Sequence, residues 1–130
     1  LRAGPPELDL DLGPLIRRSQ LERVRGFLDD VRRDGLPIVA QGQIVPQASQ
    51  QGYYAAPILV RDVPAQHRLA QEEVFGPVLA AMAFDDEDDA VRLANGTAFG
   101  LVAGVWTRDG ARQLRMARRV KAGQVFINNY

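Results

Sequence analysis

The 130-residue sequence contains no cysteine, a single histidine and a single tryptophan. The lack of cysteine excludes a disulfide framework, thiolate metal sites and a cysteine nucleophile within this chain. No apolar run is long enough to cross a bilayer, and the first residues do not have the pattern of a signal peptide. Within these 130 residues, a disulfide framework and a membrane-spanning segment are therefore excluded.

The sequence also lacks an excess of charge of either sign, because 16 basic and 16 acidic side chains cancel. Bulk charge thus predicts neither a nucleic-acid partner nor a membrane surface. A local group of basic residues between positions 112 and 121 is better explained as a solvated helix face. The length favours one domain, and the start at Leu1 without a methionine predicts a fragment boundary.

The residues that are present predict an amphipathic helix near the N-terminus. Ser19 and Glu22 have the spacing of a capping box, with Ser19 as the N-cap. Gly35 is suited to the left-handed position that ends a helix. The apolar stripe between them recurs at steps of three and four residues, and it consists of Leu21, Val24, Leu28 and Val31.

The rest of the chain alternates short apolar strands with two more helices, after an irregular lead-in at residues 1–12. Asp85 or Asp86 is expected to cap one helix and Asp109 the other, and Gly123 to close the last. The expected strands lie at residues 38–40, 57–60, 78–84, 101–106 and 125–127. We predict an α/β fold of helices layered on a largely parallel sheet, with the strand at 78–84 buried on both faces.

The run Gln-Glu-Glu-Val-Phe-Gly-Pro-Val at residues 71–78 is the best candidate for a binding corner. A carboxylate can accept hydrogen bonds from a sugar diol. The phenyl ring of Phe75 faces the same way as Glu73 if the run is extended. The Gly-Pro pair restricts the backbone, so these residues are a candidate ribose-binding corner.

Six blocks of the sequence, in order, resemble the NAD(P)-dependent aldehyde dehydrogenase family. They read Gly-Pro-Leu-Ile, Gly-Tyr-Tyr with a following proline, Glu-Glu-Val-Phe-Gly-Pro-Val, Ala-Asn-Gly-Thr-Ala-Phe-Gly-Leu, Ala-Gly-Val-Trp-Thr-Arg-Asp and Ala-Gly-Gln-Val-Phe-Ile-Asn. The resemblance covers nearly the whole chain but only part of the family's length. It implies that residues 1–130 are the C-terminal part of the catalytic domain, without the dinucleotide-binding domain, the general-base glutamate and the nucleophilic cysteine.

The resemblance implies that Glu73 and Phe75 bind the cofactor. In the family, the second glutamate of this motif accepts hydrogen bonds from the hydroxyls of the nicotinamide ribose, and the aromatic ring packs on the ribose and nicotinamide. The alternatives are that Glu73 is paired with an arginine such as Arg68, and that Phe75 belongs to the core. Glu72 is expected to be a structural or solvated neighbour.

The resemblance assigns four further residues to ligands. Gln20 and Arg23 match family positions that reach the cofactor, and exposed helix residues are the alternative. Asn129 and Tyr130 follow the last strand and are expected to line the aldehyde entrance, because ligands often bind at the carboxyl ends of strands in α/β sheets. Solvation of a strand end is their alternative, and Asn128 is expected to brace the loop.

Two other features of the sequence are not expected to bind a ligand. His67 matches no catalytic position of the family and lies in a polar stretch, so a surface histidine is expected. The acidic run at residues 85–89 lacks the spacing of a calcium-binding loop and is interpreted as a helix N-terminus.

The function implied is oxidation of an aldehyde to a carboxylic acid with NAD or NADP, by a full-length enzyme in which a cysteine attacks the aldehyde. The isolated chain is expected to be inactive. The resemblance further implies a cytoplasmic protein that forms dimers or tetramers. The alternatives are a non-catalytic fragment or interaction module derived from that family and, with little weight, an unrelated α/β ligand-binding domain.

Overall fold

The computed structural model describes residues 1–129, which form two compact units, Leu1–Met82 and a second unit that begins at Ala83. The first unit contains β1 (Arg2–Ala3), a 3-10 helix (Pro6–Leu8), α1 (Arg18–Arg33), β2 (Ile38–Gln41), β3 (Gln43–Ile44), β4 (Ile58–Val60), α2 (Arg68–Gln71) and β5 (Val78–Ala80). The second contains α3 (Glu87–Ala94), β6 (Val102–Val105), α4 (Gly110–Arg119) and β7 (Gln124–Ile127).

The α/β prediction with mainly parallel strands is confirmed. The strand pairs β1–β3, β4–β5 and β6–β7 are parallel, and β2 pairs antiparallel with β4. The described strands form three small sheets, in which β4 is the central strand of the sheet β2-β4-β5. β1 and β3 lie in stretches predicted to be irregular.

The core of the first unit forms where α1 packs on the sheet β2-β4-β5. The stripe on α1 is buried as predicted, and Phe27 joins it with no exposed surface. The partners of this stripe are Ile58, Val60, Val63, Leu69 and Val74. Burial of these side chains supplies the main driving force for folding, since each contributes about 1.5–3 kcal/mol.

Strand β5 does not confirm the prediction of a strand buried on both faces. It ends at Ala80 rather than at residue 84, and Leu79 is 65% exposed. Val78 and Ala80 pack against the core, while Leu79 points to the opposite face because side chains alternate along a strand. Strand β2, expected as a short apolar strand, is an edge strand exposed along its whole length.

Helix ends agree with the sequence where a side chain makes a local cap. Asp86 accepts a hydrogen bond from the backbone N–H of Asp89, and Asp109 caps α4 in the same way. Gly35 has φ +67° after α1, as predicted. The backbone N–H of Leu36 donates to the carbonyl of Val31, as is typical of a helix end of this kind.

Two predicted helix ends are wrong. Helix α1 begins at Arg18 after the extended residue Arg17, so Ser19 lies inside the helix and is not its cap. Helix α4 ends at Arg119, and the N–H of Gly123 donates to the carbonyl of Gly100 at the start of the β6–β7 pair. At Gly123 the backbone is held by a contact distant in sequence, whereas α1 begins after Arg17 without a side-chain cap.

Among residues 1–129, no helix is long and apolar enough to cross a membrane.

Candidate functional site

The candidate corner, residues 71–78, contains the loop that connects α2 to β5, and this loop lies against the N-terminal half of α1. Its apolar anchor is Val74, which is buried in the core. Gly76 approaches the helix so closely that a Cβ atom there would overlap the side chain of Val24. The glycine of the motif is therefore required by close packing.

Three successive carbonyls of this loop accept hydrogen bonds from α1. The Gln20 side-chain amide donates to the carbonyls of Val74 and Phe75, each at 2.8 Å. The guanidinium of Arg23 donates to the carbonyl of Glu73 at 2.7 Å. The loop is thus held by two side chains that lie about fifty residues earlier in the sequence.

Glu72 is the structural neighbour that was expected. Its carboxylate forms ion pairs with Arg68 at 3.2 Å and with Arg23 at 3.4 Å. Arg68 also binds Asp30 at 2.9 Å, and its guanidinium lies 4.1 Å from the ring centroid of Phe27. The hydrogen bonds to Asp30 and Glu72 raise the pKa of Arg68 above its ordinary value.

Glu73 is exposed, and within residues 1–129 its carboxylate has no hydrogen bond or ion pair. The alternative in which Arg68 pairs with Glu73 is not observed, because Arg68 binds Asp30 and Glu72 instead. Two adjacent carboxylates thus differ in role: one fixes the loop, and the other keeps both oxygens available to a ligand.

Phe75 is 72% exposed, so the alternative of a core residue is not observed. Its φ is +55°, in the left-handed region, and the run is therefore not extended at this residue as was assumed. The side chains of Glu73 and Phe75 are nevertheless both exposed, and they flank the buried Val74 in the sequence. A left-handed phenylalanine costs about 1–2 kcal/mol, and the contacts with α1 offset this cost.

His67 has a structural role that the sequence did not predict. Its Nδ1 accepts a hydrogen bond from the backbone N–H of Leu69 at 3.0 Å, which caps α2, and its Nε2 lies 3.2 Å from the Asp34 carboxylate. The side chain is only 11% exposed, so the prediction of a surface histidine is wrong. Histidine is not among the preferred capping residues, and no sequence signal indicated this contact.

The residues predicted to line the aldehyde entrance lie in the second unit. Asn128, with φ +52°, accepts a hydrogen bond from the Thr107 N–H at 2.9 Å and donates to its carbonyl at 3.1 Å, so it braces the loop as expected. Asn129 follows at the carboxyl end of β7 and is exposed. Tyr130 lies outside the described residues.

An open apolar depression of about 510 Å³ lies beside the candidate corner in the first unit. Gly76 and Pro77 contribute to one side of it. Its floor consists of residues from β2, β4 and β5, including Ala40, Ile58 and Leu79. The candidate corner therefore combines a polar group, Glu73, with an apolar surface nearby.

A model of the aldehyde dehydrogenase family matches residues 1–130. Betaine aldehyde dehydrogenase of Rhizobium etli is 37% identical over the whole chain, and human 4-trimethylaminobutyraldehyde dehydrogenase is 40% identical. The chain spans 27% of the length of each of these two relatives.

Solved structures of similar proteins have the same fold over this segment. A Burkholderia cenocepacia protein, provisionally described as an aldehyde dehydrogenase, is 67% identical over 100% of this chain and 27% of its own, with a TM-score of 0.98. A mutant of aldehyde dehydrogenase C from Pseudomonas syringae in complex with NAD+ and octanal is 36% identical, with a TM-score of 0.89 over 98% of this chain and 27% of its own.

Proposed function

The chain belongs to the aldehyde dehydrogenase family, and from that premise we propose that it is the part of an NAD(P)-dependent enzyme that holds the nicotinamide ribose. The enzyme as a whole would oxidise an aldehyde to a carboxylic acid. The chain spans 27% of its relatives, so the complete reaction needs groups that these 130 residues do not contain. A cysteine nucleophile is one of them.

The observation that supports this proposal is the exposed, unpaired carboxylate of Glu73 on a loop that α1 holds in place. A carboxylate accepts hydrogen bonds only, and a ribose diol offers two O–H donors. Charge-assisted hydrogen bonds of this kind are about twice as strong as neutral ones. The residues present therefore fit the nicotinamide ribose.

The exposed ring of Phe75 complements that contact. An aromatic face can cover the ribose and the nicotinamide ring and shield them from water, while the carboxylate fixes the sugar. The nicotinamide, when bound, supplies the hydride acceptor. The contribution of this chain is orientation, because a fixed sugar restricts the position of the ring relative to the aldehyde.

The proposal covers both NAD+ and NADP+. The two dinucleotides share the nicotinamide-side ribose, so a contact through Glu73 does not distinguish them. The substrate is proposed only as an aldehyde. Asn129 and Tyr130 are proposed, from the resemblance alone, to line its entrance.

A homo-oligomer, dimeric or tetrameric, and a cytoplasmic location are proposed from the resemblance. Strand β7 pairs with β6 along one side, and we propose that its other side receives a strand of a partner copy. The proposal is tested by the oligomeric state of a full-length enzyme that contains this segment. A monomer in sedimentation experiments would contradict it.

The alternative function, a non-catalytic module derived from the same family, is favoured for the isolated chain by its lack of cysteine. An activity assay on the purified 130-residue chain tests this alternative. We expect no NADH formation with any aldehyde. Turnover by this chain alone would contradict both the module and the expectation that the nucleophile lies outside it.

The ribose contact is tested with two isosteric substitutions in a full-length enzyme that contains residues 1–130. Glu73→Gln removes a charged acceptor and is expected to lower kcat/KM for the dinucleotide about 10- to 100-fold, since each charged hydrogen bond is worth about 1.5–3 kcal/mol. Glu72→Gln is the matched control because it alters the adjacent carboxylate, which is paired with arginines. Equal effects of the two would contradict the proposal.

A further inference from the structure

The hydrogen bonds of Gln20 depend on the unusual backbone of Phe75. In an extended strand, successive carbonyls point in opposite directions and cannot converge on one donor. Here the carbonyls of Val74 and Phe75 both lie 2.8 Å from the same amide nitrogen. The relative direction of these two carbonyls is set by the φ and ψ angles of Phe75, whose φ is +55°.

The donors of Gln20 are fully used by the loop. A side-chain amide carries two N–H donors, and both are directed at loop carbonyls. Arg23 also donates to this loop, because one of its guanidinium nitrogens donates to the Glu73 carbonyl and approaches the Glu72 carboxylate. These are the two residues that the resemblance assigns to the cofactor itself.

The position of the Glu73 side chain follows from these bonds. Its own carbonyl is bound by Arg23, and the next two carbonyls are bound by Gln20. Without Gln20, the convergence of two carbonyls would become unfavourable, and Phe75 would relax toward an extended backbone. That change would turn the ring of Phe75 away from its present direction and loosen the loop that carries Glu73.

We propose that Gln20 is a positioning residue, which acts on the nicotinamide ribose through the loop of Glu73 and Phe75 rather than by donating to the cofactor. Arg23 has the same role at the Glu73 carbonyl. This inference rests on the proposed function, since it assumes that Glu73 and Phe75 contact the ligand. It predicts that Gln20 matters only while these two side chains are present.

A comparison of two backgrounds tests the inference in a full-length enzyme that contains this segment. In the native background, Gln20→Met is expected to lower kcat/KM for the dinucleotide about tenfold, the effect of losing roughly 1.4 kcal/mol. In a Glu73→Gln, Phe75→Ala background, the same substitution is expected to change it less than twofold. Glu22→Met, on the exposed face of the same helix turn, is the control and should have no effect.

The results distinguish a failure of the positioning role of Gln20 from a failure of the proposed function. An undiminished tenfold effect of Gln20→Met in the second background would show a direct contact and overturn the positioning role. No effect of Glu73→Gln and Phe75→Ala by themselves would instead contradict the proposed function. Arg23→Met, with the exposed Arg25→Met as its control, gives a second series if Gln20→Met does not fold.

The backbone conformation of the loop can also be measured directly, which needs neither the cofactor nor enzyme activity. In the 130-residue chain, carbon-13 chemical shifts report the backbone angles of Phe75 and the hydrogen bonds to the carbonyls of Val74 and Phe75. Gln20→Met is expected to move these shifts toward extended values, and Glu22→Met to leave them unchanged. Shifts that do not respond to Gln20→Met would contradict the coupling.

Discussion

At the scale of single residues, two adjacent glutamates with the same chemistry have different surroundings. Arg68 and Arg23 reach Glu72 from two helices, and Glu73 is left exposed. The family motif assigns Glu73 to the ligand, and that assignment stays a prediction. The residues that hold Glu72 could not be predicted, because Arg23 is distant in sequence and α2 carries no clear helix signal.

Phe75 is the residue at which stability and function are expected to oppose each other. Phe75→Gly removes the cost of a left-handed side chain, about 1–2 kcal/mol, but adds about 0.5–1 kcal/mol of backbone entropy cost. Since the ring is largely exposed, we expect the free energy of unfolding to stay equal or rise by up to about 1.5 kcal/mol.

The same variant is expected to bind the dinucleotide more weakly in a full-length enzyme, because the ring no longer covers the ligand. Chemical denaturation and the KM for the dinucleotide measure the two effects. Phe75→Asn is a control that tolerates the left-handed region. A Phe75→Gly variant that is clearly less stable than the native chain would contradict the backbone argument.

At the scale of elements, the sequence predicted those features that are set by local chemistry. Asp86, Asp109 and Gly35 were recognised because a cap needs only its own neighbours. Gly123 was misplaced because its N–H binds Gly100, which is distant in sequence, and Ser19 was misplaced because α1 begins one residue earlier without a side-chain cap. Helix α2 has four residues and a histidine cap, which gave no periodic signal.

The contact between α1 and the candidate loop is tested by two glycine substitutions. Gly76→Ala places a methyl group against the fully buried Val24 and is expected to lower the free energy of unfolding by about 1–3 kcal/mol. Gly26→Ala, within α1 and with open space around it, is the matched control.

Gly26→Ala is expected to raise the free energy of unfolding by about 0.5–1 kcal/mol, because alanine loses less backbone entropy in a helix. Urea denaturation of the 130-residue chain measures both substitutions. A stabilising Gly76→Ala would show that the loop does not lie against α1 as described.

The contact between α3 and α4 is expected to depend on pH through Glu87. Its carboxylate binds Arg112 at 2.8 Å and Arg115 at 2.6 Å. The hydrogen bonds from Arg115 and Arg112 lower the pKa of Glu87 from 4.5 to about 2. The folded state therefore favours the charged form, and its stabilising effect is complete above about pH 4.5 and lost as the pH falls toward 2.

We expect Glu87→Gln to melt below the native chain at pH 7, with the difference disappearing as the pH falls from about 4.5 to 2. Thermal denaturation followed by circular dichroism over this pH range measures the effect. Glu22→Gln, at an exposed position on α1, is the control. A difference that persists at pH 2 would mean that the ion pairs are not its cause.

At the scale of the whole molecule, the chain has the surface of a part rather than of a complete enzyme. Large apolar side chains are exposed in both units, with Ile16 at 89% and Leu101 at 83%. Such exposure is in keeping with a segment that spans 27% of its relatives. The sequence predicted the family and the mainly parallel α/β fold, because both depend on motifs and periodicity.

The most direct test of the central claim is a binding experiment in which both Glu73 and the hydroxyls of the nicotinamide ribose are varied. In a full-length enzyme that contains this segment, binding of NAD+ is compared with binding of analogues that lack the 2′ or 3′ hydroxyl of that ribose, for the native protein and for Glu73→Gln. We predict that Glu73→Gln weakens binding of NAD+ about tenfold or more, and that the loss shrinks with either analogue. An equal loss for NAD+ and both analogues would contradict a contact between this carboxylate and the sugar.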